Sequence, residues 1–151
     1  MAERRYPIKD DLSVYALRQG VRALALQAGF DSNAREELVI VASELASNIL
    51  KYGPPGSVEI ATDNEGAGGR LRLVASDHGP PFRDIATALR DGHDGSGPID
   101  PMKLLKRKGI GAGLGAIVRM TDSFEVHERE LGKEITVVRN VVRPRKRRIE
   151  G

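Results

Sequence analysis

The stretch Leu71-Arg72-Leu73-Val74-Ala75-Ser76-Asp77-His78-Gly79-Pro80-Pro81 reads as a buried strand that breaks into a turn, with an acid at the break. Its surroundings set the fold class. Upstream, Val58-Glu59-Ile60-Ala61 reads as a partner strand, reached through the turn-rich connection Asn64-Glu65-Gly66-Ala67-Gly68-Gly69. Before it, Leu38, Val41, Ala42, Leu45 and Ile49 form the apolar stripe of a helix, with Asp31 or Ser32 as its cap and Glu36 and Glu37 in its first turns. Tyr52-Gly53-Pro54-Pro55-Gly56 stops that helix. An earlier helix is expected from Asp10-Asp11 to Ala28, where Leu12, Val14, Tyr15, Leu17, Val21, Leu24, Ala25 and Leu26 recur at helical spacing and Gly29 is the stop. Arg4 to Lys9 reads as a short edge strand, because Pro7 lacks the N–H that a central strand needs.

Downstream, a short helix is expected from Arg83 to Asp91, followed by Gly92-His93-Asp94-Gly95-Ser96-Gly97-Pro98, whose glycine content suits a mobile lid. The basic run Met102 to Lys108 leads into Gly109-Ile110-Gly111-Ala112-Gly113-Leu114, which opens a helix from Ala112 to Met120. Two strands follow, Ser123 to Glu128 and Glu134 to Val142, separated by Leu131-Gly132-Lys133. This order predicts an α+β domain, a two-layer sandwich with helices on one face of a mixed sheet. The domain spans 1–142, and 143–151 form a basic tail.

Composition narrows the function classes. A chain of 151 residues suits one domain with one core. Only 4% of it is aromatic, which leaves few stacking platforms for single-stranded nucleic acid. The net charge of +3 comes from the tail, where Arg143, Arg145, Lys146, Arg147 and Arg148 crowd together, so the body is close to neutral. A nucleic-acid-binding domain would instead spread basic residues over a folded face, and nucleic acid is not an expected partner. Absence of cysteine removes disulfides and thiolate zinc sites and suits a reducing compartment. With no apolar segment long enough to span a membrane, the expected location is cytoplasmic, with no membrane partner.

Three groups of residues can carry chemistry. Glu44 and Asn48 lie four apart on the second helix and so project from one side. A carboxylate and an amide oxygen are hard donors suited to magnesium, although such a pair taken alone is more simply read as the solvent-facing side of an amphipathic helix. Asp77 at its strand end can accept a hydrogen bond from an exocyclic amine, while Gly79 admits a ring close to the backbone; the plain alternative is an Asx turn before prolines. Gly109, Gly111 and Gly113 open a helix whose free N–H groups can bind phosphate oxygens. The dinucleotide fingerprint does not fit this context, and the Walker Lys-Ser/Thr is missing. His78, His93 and His127 have no metal-ligand spacing, and neither Ser43 nor Ser47 has a histidine arrangement that would mark a nucleophile.

Together the stretch Glu37 to Asn48, Asp77-His78-Gly79-Pro80 and Gly109 to Leu114 resemble the N-box and the two glycine boxes of the GHKL ATPase/kinase superfamily. The resemblance runs from about Arg4 to Val142. Ser43-Glu44-Leu45-Ala46-Ser47-Asn48-Ile49, with Arg18-Gln19 upstream, looks most like the RsbT-like switch kinases among the anti-sigma-factor-type serine/threonine kinases. The resemblance implies a Bergerat-type sandwich and binding of ATP with Mg2+. It implies Glu44 as general base, Asn48 as the magnesium ligand, Asp77 as the reader of the adenine amine, and Gly79, Gly109, Gly111, Gly113 and Leu114 as further nucleotide-site residues. Two positions depart from the family pattern: Pro81 stands where many relatives carry a glycine, and Lys133 where a threonine is common.

The function this implies is phosphorylation of a Ser/Thr on a STAS-domain antagonist protein within a bacterial partner-switching stress module. A partner phosphatase or a sigma factor would be the downstream partner. The alternatives are an anti-sigma factor that sequesters a sigma factor in a nucleotide-dependent way, and a nucleotide-binding scaffold without turnover.

Overall fold

The computed structural model describes residues 2–52, 55–63, 68–78, 111–129 and 132–142. Helix α1 (Asp11–Ala28) begins and ends where local chemistry dictates. The Asp10 carboxylate accepts from the Ser13 N–H at 2.8 Å, and the Ser13 hydroxyl accepts from the Asp10 N–H at 3.0 Å, a reciprocal box that satisfies end groups the helix leaves open. At the other end Gly29 takes a left-handed conformation, φ 97°, and its N–H returns to the last turn. Helix α2 (Ser32–Tyr52) is capped by Asp31, whose carboxylate accepts from the Ala34 N–H at 2.8 Å.

Strands β1 (Ala2–Ile8), β2 (Gly56–Asp63), β3 (Arg70–Asp77), β4 (Ser123–Glu128) and β5 (Lys133–Asn140) form one sheet in the order β1-β2-β3-β5-β4. Every described pairing is antiparallel. The two-layer α+β class is as expected, but the sheet is antiparallel where a mixed one was expected, because β3 and β5 run in opposite directions as sheet neighbours. β1 takes the predicted edge place with Pro7 in it. The strands extend beyond the apolar runs that signal them: β2 and β3 both reach eight residues. Helix α3 (Gly111–Arg119) precedes β4. The helix expected at Arg83 to Asp91, the lid at Gly92 to Pro98, and the tail at 143–151 lie outside the described residues.

The core lies between the helices and one face of the sheet. Val58 and Ile60 of β2, Leu71 and Leu73 of β3, and Ile135 and Val137 of β5 point inward against Leu17, Val21 and Leu24 of α1 and Leu38, Val41, Leu45 and Ile49 of α2. Burying each such side chain stabilises the fold by about 1.5–3 kcal/mol. The whole predicted stripe of α2 is buried, whereas α1 is a correction: Leu12, Tyr15 and Leu26 face solvent. Gly20 explains how closely α1 sits on the sheet, since a Cβ there would come within 2.0 Å of the Tyr6 hydroxyl oxygen on β1.

Candidate functional site

Helix α2 carries Glu44 half-buried and Asn48 nearly buried, at 7% exposure. Their spacing of four residues sets both on one flank of the helix. The Asn48 Nδ2 group is buried without a hydrogen-bond partner among the described residues, a state that native proteins rarely tolerate unless a ligand or water completes it. The neighbouring Ser43 hydroxyl donates to the Val39 carbonyl at 2.8 Å, a tie within the helix.

Asp77 closes β3 and is buried, as expected. The register sets it opposite Gly56 of β2 on one side and Lys133 of β5 on the other. A Cβ on Gly56 would lie 2.6 Å from Ile49 Cγ2 and 3.3 Å from the Asp77 Cα. The absence of a side chain there lets the last turns of α2, which carry Asn48, draw up against the end of β3. On the other side Gly132, at φ 101°, leaves so little room that a Cβ would lie 1.8 Å from the Asp77 carbonyl oxygen. Two glycines therefore clamp the strand end that carries the acid.

Lys133 is buried, and its ammonium lies 3.0 Å from the Asp77 carboxylate, with side chains 2% and 4% exposed. Sequence reading placed this lysine in a turn and missed it as a site residue. The signal was the alternation Lys133, Ile135, Val137, Arg139, which extends the buried face of β5 to the lysine.

The phosphate elements are partly described. Gly111, Gly113 and Leu114 form the first turn of α3, where the backbone N–H groups have no partners within the helix. Gly79 and Gly109 lie outside the described residues, as does Pro81. α3 packs on α2, and its end is oriented by Arg139, which donates to Glu37 at 2.8 Å and to the Met120 carbonyl at 3.0 Å. The end of α3 is thereby tied to the first turns of α2.

Among the described residues no cluster of His, Cys, Asp or Glu could hold a metal by itself. The donors present, an amide and one half-buried carboxylate, suit a cation that brings phosphate oxygens and water with it. His78 and His127 are exposed, and His127 lies 3.5 Å from Glu125 on its own strand. Two furrows lie on the outer sheet face, about 230 Å³ beside Arg5, Glu59, Arg72 and Val74 and about 350 Å³ beside Asp63, Arg70 and Val138. They run between solvent-facing side chains and touch none of the expected site residues.

The family model for the histidine kinase-like ATPase domain matches residues 8–139, which takes in every described element except most of β1 and the last residue of β5. The chain belongs to the histidine kinase-like ATPase domain family. As a histidine kinase-like ATPase domain it is implied to bind ATP. It is similar to the serine/threonine-protein kinase RsbT of Bacillus subtilis (strain 168), 30% identical over 120 residues that make up 80% of this chain and 82% of the relative. The similarity points to an RsbT-like kinase of the GHKL superfamily. In fold the domain is similar to a chain in the crystal structure of the SiaB-SiaC complex from Pseudomonas aeruginosa, with TM-score 0.55, 17% identity, and coverage of 93% of this chain and 89% of that one. No helix among the described residues is long and apolar enough to cross a membrane.

Proposed function

We propose that this chain is an ATP-dependent protein serine/threonine kinase of a partner-switching module, whose substrate is a small STAS-domain antagonist protein. The observation that carries the reading is the buried Asn48 Nδ2, without a hydrogen-bond partner among the described residues, on the residue before Ile49, whose side chain packs at Gly56 opposite Asp77, and on the same helix flank as Glu44. Asn48 would help to hold Mg2+, whose charge offsets that of the phosphates. Asp77 accepts the exocyclic amine of adenine, and the first turn of α3, with Gly111 and Gly113, receives phosphate oxygens at its free N–H groups.

In the reaction the Glu44 carboxylate takes the proton of a seryl or threonyl hydroxyl. The hydroxyl oxygen forms a bond to the γ-phosphorus, the bond from that phosphorus to the β,γ-bridging oxygen breaks, and ADP leaves with the electron pair. Positioning and charge neutralisation dominate such transfers. Similarity to RsbT supports both the reaction class and a protein substrate. Incubation with γ-labelled ATP, Mg2+ and a STAS-domain protein encoded beside this chain is expected to label a serine or threonine of that protein. Absence of label, or label that persists in Glu44→Ala, would overturn the catalytic assignment.

The departures from the family pattern at Pro81 and Lys133 motivate a second reading, a nucleotide-binding scaffold without turnover. It predicts ATP-dependent thermal stabilisation with no phosphate transfer, and measured turnover eliminates it.

A further inference from the structure

We infer that Arg139 is a positioning residue for phosphate binding, which through Glu37 fixes the first turn of α3 against the Glu44–Asn48 flank of α2. The inference rests on the proposed nucleotide site and adds to it a pair that acts from a distance.

The proposed site is divided among three elements. Asp77 ends β3, Glu44 and Asn48 lie on α2, and the first turn of α3 carries Gly111 and Gly113. Metal and phosphate can be held together only when α2 and α3 keep one relative placement. Arg139 stands on β5, the sheet neighbour of β3, and continues the buried face of Ile135 and Val137. Since Asp77 pairs with Lys133, the strand rise puts Arg139 roughly 20 Å along the sheet from the acid, too far to touch a nucleotide held there.

One terminal nitrogen of Arg139 donates both to the Glu37 carboxylate of α2, at 2.8 Å, and to the Met120 carbonyl just beyond α3, at 3.0 Å. A single atom thus holds the first turns of one helix against the end of the other. Further bonds at this end of α3 have other targets: the Thr121 hydroxyl donates to the Ile117 carbonyl at 2.7 Å, and the Asp122 N–H to the Val138 carbonyl at 2.8 Å. Those two reach no residue of α2. Arg139 supplies the tie to it.

A tie at one end of a short helix governs the other end. With nine residues α3 is about 13 Å long, so a tilt of about 5° about its tied end moves the first turn by roughly 1 Å. Where N–H groups must meet phosphate oxygens, a shift of that size matters. Packing alone does not call for this arginine. Its neighbours on the same face are apolar, and its own Nε is buried without a partner among the described residues, which is a cost rather than a gain. An apolar side chain could fill the space but could not bond to two helices.

The test measures dissociation constants of ATP and of adenosine in the presence of Mg2+, by competition against a fluorescent ATP analogue, on the full chain and on Glu37→Ala and Arg139→Met. The preference for ATP over adenosine is expected to fall about tenfold in both variants, while the constant for adenosine stays within about twofold of wild type. Long-range charge effects predict something else: losing Glu37 would favour a polyanion and losing Arg139 would disfavour it. A preference that is unchanged or raised in Glu37→Ala would therefore overturn the inference. Equal loss of affinity for ATP and adenosine would do the same, since a general disturbance of the fold acts on both ligands. If Arg139→Met does not fold, Glu37→Ala decides alone, because its side chain is partly exposed and its removal leaves the Arg139 bond to Met120 in place. Wild-type protein that binds ATP no better than adenosine would overturn the phosphate turn of the proposed site, and this inference with it.

Discussion

The Arg139 guanidinium lies 2.8 Å from the Glu37 carboxylate, joining β5 to the first turns of α2 across 102 residues of chain. The same nitrogen donates to the Met120 carbonyl at 3.0 Å, so one buried side chain ties together the sheet, α2 and the end of α3. Arg139→Ala is expected to lower unfolding free energy by about 2–3 kcal/mol, since it removes charge-assisted bonds and leaves the carbonyl unmatched. Urea denaturation checks this. With the arginine side chain only 8% exposed, 1 M salt should change the difference little.

Gly132 and Gly29 share a left-handed backbone but not the space around it. A Cβ on Gly29 meets nothing within 4 Å, while one on Gly132 meets the Asp77 carbonyl oxygen at 1.8 Å. Gly29→Ala should cost about 1–2 kcal/mol from backbone strain alone. Gly132→Ala should cost about 3 kcal/mol or more and abolish nucleotide binding, because β5 must move off the acid that it positions. Unfolding curves and ATP-dependent thermal shifts on both variants test the contrast.

At Asn48 stability and binding should separate. The Nδ2 group makes no hydrogen bond among the described residues, so Asn48→Leu removes none of the described contacts of that group and should change stability by less than about 1 kcal/mol in either direction. Stabilisation by Mg-ATP should disappear. A variant that keeps an undiminished thermal shift with Mg-ATP would exclude Asn48 from the site.

The Gly20 contact with Tyr6 predicts a conditional effect. Gly20→Ala alone should destabilise, because the tyrosine ring must leave its place against α1. In a Tyr6→Ala background the same change should stabilise by about 0.5–1 kcal/mol, the helix preference of alanine over glycine. The double-mutant cycle, followed by thermal unfolding, reads the coupling.

On the exposed faces of α1 and α2, the Arg22 guanidinium holds the Glu36 carboxyl below its ordinary value through a 3.2 Å hydrogen bond. A depressed folded value means that the contribution to stability is present above the unfolded value near 4.5 and is lost as pH falls through the folded one. The difference in stability between wild type and Glu36→Gln should therefore be largest near neutrality and shrink below about pH 4. It should also shrink with added salt, since both groups face solvent.

Much of this organisation was legible in the chain itself. The acids at the start of α1, a cap at Asp31 or Ser32, the stop at Gly29, the apolar stripe of α2 and the strand end at Asp77 follow from interactions within a few residues, where side-chain chemistry and backbone preference act directly. The solvent-facing Leu12, Tyr15 and Leu26 were not distinguishable from core positions, because helical spacing identifies an apolar residue without saying whether a second layer covers it.

What the sequence alone determined is therefore local: the segments, their ends, and the chemical types at Glu44, Asn48, Asp77 and the glycine turn. The tertiary structure decided the antiparallel order β1-β2-β3-β5-β4, the meeting of Arg139 with Glu37, and the conversion of Lys133 from an apparent turn residue into the buried partner of Asp77. The physical reason is that burial and charge pairing depend on which distant strand lies alongside. A lysine next to a glycine in sequence carries no mark of an aspartate that only sheet register brings within 3.0 Å.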